Sequence, residues 1–306
     1  MVLENGGEAV FEELQKSGKW KRVVPIQKGW SDDRKYYIET ADEQKLLLRT
    51  SDIKYYEQKK KEFDIIKKYS ALSFEMSEPV DFGTLHSRQN VYMLLTWVDG
   101  DDLELALSKL DRDEQYRLGR EAGEILREIH SLQIPADEFP AQTKIARKVA
   151  LLQKYMESEH RIQGDEAVIK FINQNIHKIW SKPPVYQHGD FHPGNLILTP
   201  ENKIGVIDFN RWEIGDPYEE FYKLESFGTD VSIPYCIGQI DAYFDNDVPA
   251  DFWDILAVYV AHAALYSIKW AEGFGQTEIE NMVRICNKSF AHYNNFEKSV
   301  PNWYKK

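Results

Sequence analysis

The stretch that most constrains this chain is residues 185–212, VYQHGDFHPGNLILTPENKIGVIDFNRW. Two apolar runs typical of β-strands, residues 195–199 and 203–208, flank a turn at 200–202. The loop before them is dense in polar side chains. Because a hairpin is rigid, polar groups at its open end are aimed at a fixed place. We interpret this hairpin as the floor of a pocket that the rest of the chain builds.

Composition narrows the class of protein. The chain has 306 residues, which favours two lobes over one compact core. Its net charge of -12, from 38 basic and 50 acidic residues, argues against a nucleic-acid partner. This charge is compatible with a cationic small substrate, and at least as well with a role in solubility alone. Only two cysteines are present, as expected in a reducing cytoplasm. The absence of a long apolar run argues against a membrane partner.

Periodicity predicts an α+β fold whose two halves differ. Apolar alternation predicts an antiparallel β-sheet domain over residues 1–98, and helical spacing predicts a mainly helical domain over 99–306. The predicted strands span residues 20–27, 34–40, 44–50, 74–85 and 90–98. The predicted helices span residues 3–15, 52–70, 103–110, 113–132, 144–159, 167–180, 218–227, 233–244, 252–271 and 277–296, with a loop at 210–217.

One chemistry suggested by the polar loop is metal-dependent hydrolysis. His188, Asp190 and His192 alternate along the loop, as metal ligands can. A catalytic zinc site needs a further ligand with its own spacing, and the other histidines of the chain are scattered singly. The sequence therefore disfavours a metal-dependent hydrolase.

Phosphoryl transfer fits the same residues better. A kinase needs a carboxylate to orient the acceptor hydroxyl and oxygen ligands for magnesium. Asp190 followed five positions later by Asn195 matches the spacing of the protein-kinase catalytic loop, with His188 in the place of its histidine. Asp208 ends the second strand of the hairpin, where kinases carry a second metal ligand. This spacing predicts a base and a magnesium clamp.

These motifs resemble the aminoglycoside phosphotransferase family, small-molecule kinases related in fold to choline kinases and protein kinases. The resemblance rests on HGDFHPGN at 188–195, on IDF at 207–209 and on GDP at 215–217, which stand in the family's order. Weaker agreement extends from about residue 28 to 287. The resemblance implies a bilobal protein-kinase-like fold with an N-terminal antiparallel sheet lobe and a helical C-terminal lobe.

The resemblance also implies catalytic and metal-binding roles. Asp190 would be the catalytic base, or the group that orients the acceptor hydroxyl. Asn195 and Asp208 would hold Mg²⁺. Arg49 stands where the family carries its phosphate-binding lysine, as in choline kinases, and Glu62 would position it. Lys45 is the alternative cation, but we expect it on the face of Leu47 and not on that of Arg49.

For the nucleotide, ATP or GTP, the resemblance implies two further contacts. Ser31 and its neighbours would form the loop over the phosphates, although only Gly29 of the family's glycines is present. Thr96 and Val98 lie in the linker that would read the base, and Ile207 would lie beneath the ring.

The phosphate acceptor is the least determined feature. The resemblance implies a hydroxyl of a small molecule, either an aminoglycoside-like antibiotic or an amino-alcohol or sugar metabolite. Five residues between 251 and 272 could hold a cationic ring, although the spacing of the aromatic ones favours an ordinary core. These candidates are Asp251, Asp254, Tyr266, Trp270 and Glu272. Monomer and homodimer both stay open.

Two alternatives to a small-molecule kinase come from other classes. A protein kinase is disfavoured because 215–217 follows Asp208 too closely for an activation segment. A nucleotide-binding pseudokinase, acting as an interaction module, is disfavoured because no catalytic group is missing. The departures are Asn210 in place of the glycine after Asp208-Phe209, and Glu220 where the family has aspartate.

Overall fold

The structure, a computed structural model, describes residues 12, 20–27, 33–85 and 89–305. These residues divide into two compact units: residues of 1–100 with 199–210, and residues of 101–198 with 211–306. The first unit thus takes in the turn and second strand of the hairpin, whereas the division at 98/99 drawn from the sequence is contiguous and stays a prediction. The helix expected over 3–15 lies outside the described residues apart from Glu12.

Eleven strands and eight longer α-helices are found in the described chain. The strands are β1 (Trp20–Ile26), β2 (Arg34–Thr40), β3 (Lys45–Asp52), β4 (Glu75–Met76), β5 (Pro79–Thr84), β6 (Asn90–Thr96), β7 (Asp101–Asp102), β8 (Val185–Gln187), β9 (Leu196–Leu198), β10 (Ile204–Val206) and β11 (Glu213–Gly215). The helices are α1 (Tyr56–Tyr69), α2 (Leu103–Leu107), α3 (Arg112–His130), α4 (Ile145–Met156), α5 (Asp165–Asn175), α6 (Ile233–Tyr243), α7 (Ala250–Ala271) and α8 (Gln276–His292).

The first unit is built on an antiparallel sheet in the order β1-β2-β3-β6-β5. Strand alternation sends Tyr36 and Ile38 of β2, and Leu46 and Leu48 of β3, into one buried cluster. The odd-numbered residues of both strands therefore line the opposite face. Arg49 lies on that face, where Glu62 of α1 reaches it.

One predicted strand of this unit is wrong in extent. Residues 74–85 were expected to form a single strand, but the structure breaks them into β4 and β5 before Pro79. β4 pairs in parallel with β10, whereas β5 joins β6 of the five-stranded sheet. The break follows from the chain changing partners, which a periodicity argument on one segment cannot detect.

The second unit is mainly helical. α3 and α6 approach closely through glycines: a Cβ on Gly119 would lie 2.1 Å from the carbonyl oxygen of Tyr235, and one on Gly238 would lie 2.3 Å from that of Tyr116. α7 is the central helix and buries most of its length. Two short antiparallel pairs, β7 with β9 and β8 with β11, complete the unit.

Two segments of this unit differ from expectation. Residues 218–227 were expected to form one helix, but they form a 3-10 turn, Glu219–Phe221, and the start of a π-helix, Leu224–Gly228. A π-turn re-aims side chains relative to a regular helix, and such turns occur often at functional sites. The loop expected over 210–217 contains β11, which is too short to show a period. Across the described residues, no helix combines the length and apolarity needed to span a bilayer.

Candidate active site

The loop after β8 is held in shape by backbone constraints. β11 pairs with β8, which brings the backbone around Arg211 against the loop. Gly189 has a φ of +81°, and a Cβ there would lie 1.9 Å from the carbonyl oxygen of Arg211. Only glycine fits such a position, because of both the left-handed backbone and the close approach. The carboxylate of Asp190 therefore leaves a loop with a fixed path.

Three basic side chains lie around the carboxylate of Asp190. Lys223 Nζ lies 2.6 Å from Asp190 Oδ1, His192 Nε2 lies 3.6 Å from the same oxygen, and Arg211 Nε lies 3.7 Å from Oδ2. Burial would raise the pKa of Asp190, but the nearby Lys223, His192 and Arg211 outweigh burial and hold that pKa well below its usual range. The carboxylate is ionised at neutral pH and can accept a hydrogen bond from a hydroxyl.

Lys223 was not singled out by the sequence, although it makes the shortest contact with Asp190. It follows Glu220 by three positions, and its side chain is only 9% exposed. Its Nζ also lies 5.0 Å from the ring of Tyr222 and 5.4 Å from that of Phe227. No sequence motif indicated this pairing, because the irregular turn through 218–228 sets the direction of the side chain.

Glu220 accepts a hydrogen bond from the backbone of the same loop. Its Oε1 accepts a hydrogen bond of 2.5 Å from the Gly189 N–H, and its Oε2 is buried without a hydrogen-bond partner among the described residues. Burial raises the pKa of Glu220 to about 8, although the Gly189 N–H and Lys223 pull it down. Glu220 is thus mainly protonated at neutral pH and adds little negative charge beside Asp190.

Asn195 and His188 brace the loop from its other side. Asn195 Nδ2 donates to the backbone oxygen of Asp190 at 2.9 Å, which orients the amide. His188 is fully buried, and its Nδ1 accepts from the Asp190 N–H at 3.2 Å. This geometry gives His188 a structural part in the loop.

Asp208 lies just beyond β10, in the first unit. Its backbone is left-handed, with φ +63°, and the ring of the next residue, Phe209, packs 5.4 Å from that of Tyr69 on α1. Lys35 Nζ of β2 donates to Asp208 Oδ2 at 3.0 Å. Because Phe209 packs against α1, it restrains the neighbouring Asp208, whose carboxylate pairs with the ammonium of Lys35.

Arg49 is the centre of a buried ionic cluster in the same unit. Its Nε donates to Asp33 Oδ2 at 2.9 Å, its Nη2 contacts the same oxygen, and its Nη1 donates to Glu62 Oε1 at 2.5 Å. Lys59 Nζ contacts both carboxylates, at 2.7 Å and 3.1 Å, and Ser51 Oγ donates to Asp33. Burial would raise the pKa of Asp33, but Arg49 and Lys59 lower it to about 2.

The expectation for Lys45 is wrong on one point. Positions 45, 47 and 49 have the same parity, so alternation puts Lys45, Leu47 and Arg49 on one face of β3. Distance along the strand separates Lys45 from Arg49, roughly 13 Å over four residues. Lys45 instead pairs with Asp99 at 2.6 Å, and both side chains are about half exposed.

The expected nucleotide-base site lies around the linker after β6. The Thr96 N–H donates to the Glu78 oxygen at 2.8 Å. The Trp97 ring meets the Tyr37 ring edge-on at 5.0 Å, which further fixes the linker. Val98 is buried close to Gly205 of β10, where an added Cβ would lie 2.5 Å from Val98 Cγ1. Ile207 is partly buried at the end of that strand, while Ser31 lies outside the described residues.

The side-chain chemistry of each predicted metal ligand suits magnesium. Asn195 and Asp208 each carry a hard oxygen of the kind that Mg²⁺ prefers, and Asp208 already accepts the ammonium of Lys35 within its own unit. Within the described part of the chain, no group of three or more His, Cys, Asp or Glu side chains could hold a metal ion. A magnesium site that borrows substrate phosphates needs only one or two carboxylates.

The five candidate acceptor residues fall into two groups, one at each end of α7. Asp251 and Asp254 lie in its first turns and pair with Lys182 at 2.5 Å and Lys178 at 3.0 Å. The other three lie roughly 18 Å or more away by helical rise, at and just beyond the far end of α7, and are Tyr266, Trp270 and Glu272.

The distal group is also engaged within the chain. Glu272 contacts Lys269, and Ser158 donates to Glu272 at 2.5 Å. The Trp270 ring lies 4.4 Å from that of Phe274, and the Tyr266 ring lies 6.1 Å from the ring of His262. The structure thus does not bring all five residues to one place.

Comparisons with known proteins identify a family by sequence and a similar fold among solved structures. The model of the phosphotransferase enzyme family matches residues 22–253. No curated protein matches the chain significantly by sequence. Three solved structures illustrate the similarity in fold. They are the GDP complex of aminoglycoside 2'-phosphotransferase-IIIa (TM-score 0.70, 16% identity, 96% of this chain and 100% of that chain), the gentamicin complex of APH(2")-IIa (0.69, 17%, 97% and 99%), and a thermostable mutant of APH(4)-Ia with ADP and hygromycin B (0.69, 14%, 91% and 95%). These matches confirm the predicted protein-kinase-like fold with its N-terminal antiparallel sheet and helical C-terminal region.

Proposed function

Because the chain belongs to the phosphotransferase enzyme family and is a kinase that acts on hydroxyl groups, we propose that it transfers the γ-phosphoryl group of ATP or GTP to a small molecule. The observation that carries this proposal is the environment of Asp190. A partly buried carboxylate kept ionised by Lys223, on a loop fixed by Gly189, suits a group that must orient a hydroxyl. The aminoglycoside phosphotransferases of similar fold were solved with ADP or GDP, which supports the nucleotide.

In this mechanism, Asp190 accepts a hydrogen bond from the acceptor hydroxyl and aims its oxygen at the phosphorus. The low pKa of Asp190 makes it a weak base, so its main contribution is alignment. It takes the hydroxyl proton as the new O–P bond forms and the bond between the γ-phosphorus and the β–γ bridging oxygen breaks, which releases the nucleoside diphosphate. Lys223, which lies beside Asp190, stabilises the negative charge that develops on the transferred phosphoryl group. Asn195 and Asp208 would hold magnesium, which offsets charge on the phosphates when bound.

The acceptor we propose is a small molecule with cationic groups, in keeping with the net charge of -12. The carboxylates of Asp251, Asp254 and Glu272 each contact a lysine of this chain. An acceptor amine would have to replace that lysine, so the match between amine and carboxylate would decide specificity. We would expect Asp254→Asn to raise KM for a cationic acceptor and leave that for a neutral one unchanged.

The test is nucleoside diphosphate release with a panel of acceptors: aminoglycosides, macrolides, choline, ethanolamine, homoserine and methylthioribose. Stimulation by one of them, lost in Asp190→Ala, supports the proposal. Unchanged turnover in Asp190→Ala would rule out the mechanism. Binding of nucleotide without turnover on any acceptor would favour the pseudokinase alternative, and phosphorylation of a protein substrate would favour the protein kinase.

A further inference from the structure

The ionic groups on the odd-numbered face of β2 and β3 form two neighbouring sets. Arg49 and Lys59 share the carboxylates of Asp33 and Glu62. These are two positive and two negative charges, so the set is neutral. Arg49 is only 3% exposed, and its donors at Nε, Nη1 and Nη2 already contact carboxylate oxygens. The residue at the family's phosphate-binding position is thus neutralised within its own cluster.

Lys35 stands directly opposite Arg49 in the β2–β3 register, so the two side chains share a face. Within the described part of the chain, its Nζ pairs with Asp208 Oδ2, at 3.0 Å. The Lys35 side chain is 13% exposed and therefore more accessible than that of Arg49. Its positive charge is balanced by the carboxylate that would hold magnesium.

Lys35 and Arg49 therefore respond differently when nucleotide and magnesium bind. If the carboxylate of Asp208 binds magnesium, Lys35 loses its counter-charge and needs another anion. Arg49 keeps both of its carboxylates in the same event. A nucleotide phosphate beside the metal is the anion that would satisfy Lys35.

On the basis of the proposed function, we propose that Lys35 is the phosphate-binding cation of the first unit, and that it exchanges Asp208 for a nucleotide phosphate when magnesium binds. Arg49 then acts as the fixed centre of the ionic cluster that holds β3 to α1. In the nucleotide-free protein, the ammonium of Lys35 and a metal ion compete for the same carboxylate oxygen.

Because Lys35 and a metal ion compete for Asp208, removing Lys35 should change the affinities for MgADP and for Mn²⁺ in opposite directions. Lys35→Met should bind MgADP about 10- to 100-fold more weakly in calorimetry, because a charged hydrogen bond to phosphate is lost. The same variant should bind Mn²⁺ alone several-fold more tightly in an EPR titration, because Asp208 no longer holds an ammonium. Lys35→Arg, which keeps the charge, should retain most of the MgADP affinity.

A matched control is Lys21→Met, which removes a strand lysine that pairs with Glu39 at 2.9 Å. It should change neither reading. Unchanged MgADP binding in Lys35→Met would overturn the inference, and so would a parallel loss of both MgADP and Mn²⁺ binding, since that would assign Lys35 a structural role. If Lys35→Met does not fold, Lys35→Gln gives the same two readings.

The outcome for the wild-type protein separates this inference from the proposed function. Wild-type protein that bound neither MgADP nor MgGDP would remove the proposed function itself. Wild-type binding together with unchanged binding in Lys35→Met would remove only the role of Lys35.

Discussion

The two units hold their buried charges in different ways. Around Arg49, two cations and two carboxylates neutralise each other. Around Asp190, one ionised carboxylate faces Lys223 and Arg211, while burial keeps Glu220 mainly protonated. A balanced cluster suits a structural support, and an excess of positive charge suits a site that must receive a phosphoryl group. Burial of charge alone therefore does not identify the residues that meet the substrate.

The largest effect on stability should come from Arg49→Met. This change leaves Asp33 and Glu62 buried with only Lys59 between them, and breaking a buried ion pair by removing one partner costs about 3–5 kcal/mol. Urea unfolding measures the loss. Lys21→Met, in the same sheet, should give no measurable change. If Arg49→Met unfolded at the wild-type midpoint, the cluster could not be a structural support.

The same cluster should produce acid sensitivity. The pKa of Asp33 is about 2 in the folded protein against an ordinary value of 3.8. A lowered pKa gives stability that is present above the ordinary pKa and is lost as the pH falls through the folded value, here from about pH 4 towards 2. The linkage corresponds to about 2 kcal/mol. Unfolding at pH 5 and pH 3 should show roughly half of this loss in the wild type. The loss should be smaller in Asp33→Asn, where the lowered pKa of Asp190 still contributes.

An intermediate effect, on kcat, is expected for Lys223→Met, which removes one of the positive charges beside Asp190. Removing one charge-stabilising donor should lower kcat about 10²-fold, with KM for the nucleotide nearly unchanged. The pKa of Asp190 should rise, so the acidic fall in kcat should begin at a higher pH than in the wild type. A uniform loss of activity with an unshifted pH profile would contradict this role. Lys288→Met, at a lysine that pairs with Asp230, is the matched control.

The smallest effect at pH 5 should come from Glu220→Gln, because glutamine imitates the protonated acid and can still accept from the Gly189 N–H. Burial raises the pKa of Glu220 to about 8 from 4.5. Stability linked to this group is therefore complete below pH 4.5 and falls as the pH rises towards 8. Glu220→Gln should match the wild type at pH 5 and be more stable at pH 8. Equal stability at both values would show that Glu220 is ionised throughout.

Much of the fold was predictable because its elements are long and periodic. β2 begins and ends where its alternation predicts, and α3 and α7 begin and end within two residues of the predicted bounds. The elements that were predicted wrongly are short strands or segments that change their pairing partner, as in the break between β4 and β5 and the unpredicted β11. These depend on pairing between distant segments, which a local pattern does not contain.

The sequence by itself determined the family and the residues that stand at its motif positions, including Asp190, Asn195 and Asp208. Fixed spacing within one loop and one hairpin is enough for that, because the chemistry is encoded in consecutive positions. Only the tertiary structure decided which charges meet: Lys223 with Asp190 across 33 positions, and Lys35 with Asp208 across 173. Such pairs depend on the register of strands and the direction of an irregular turn, which place side chains that no short motif connects.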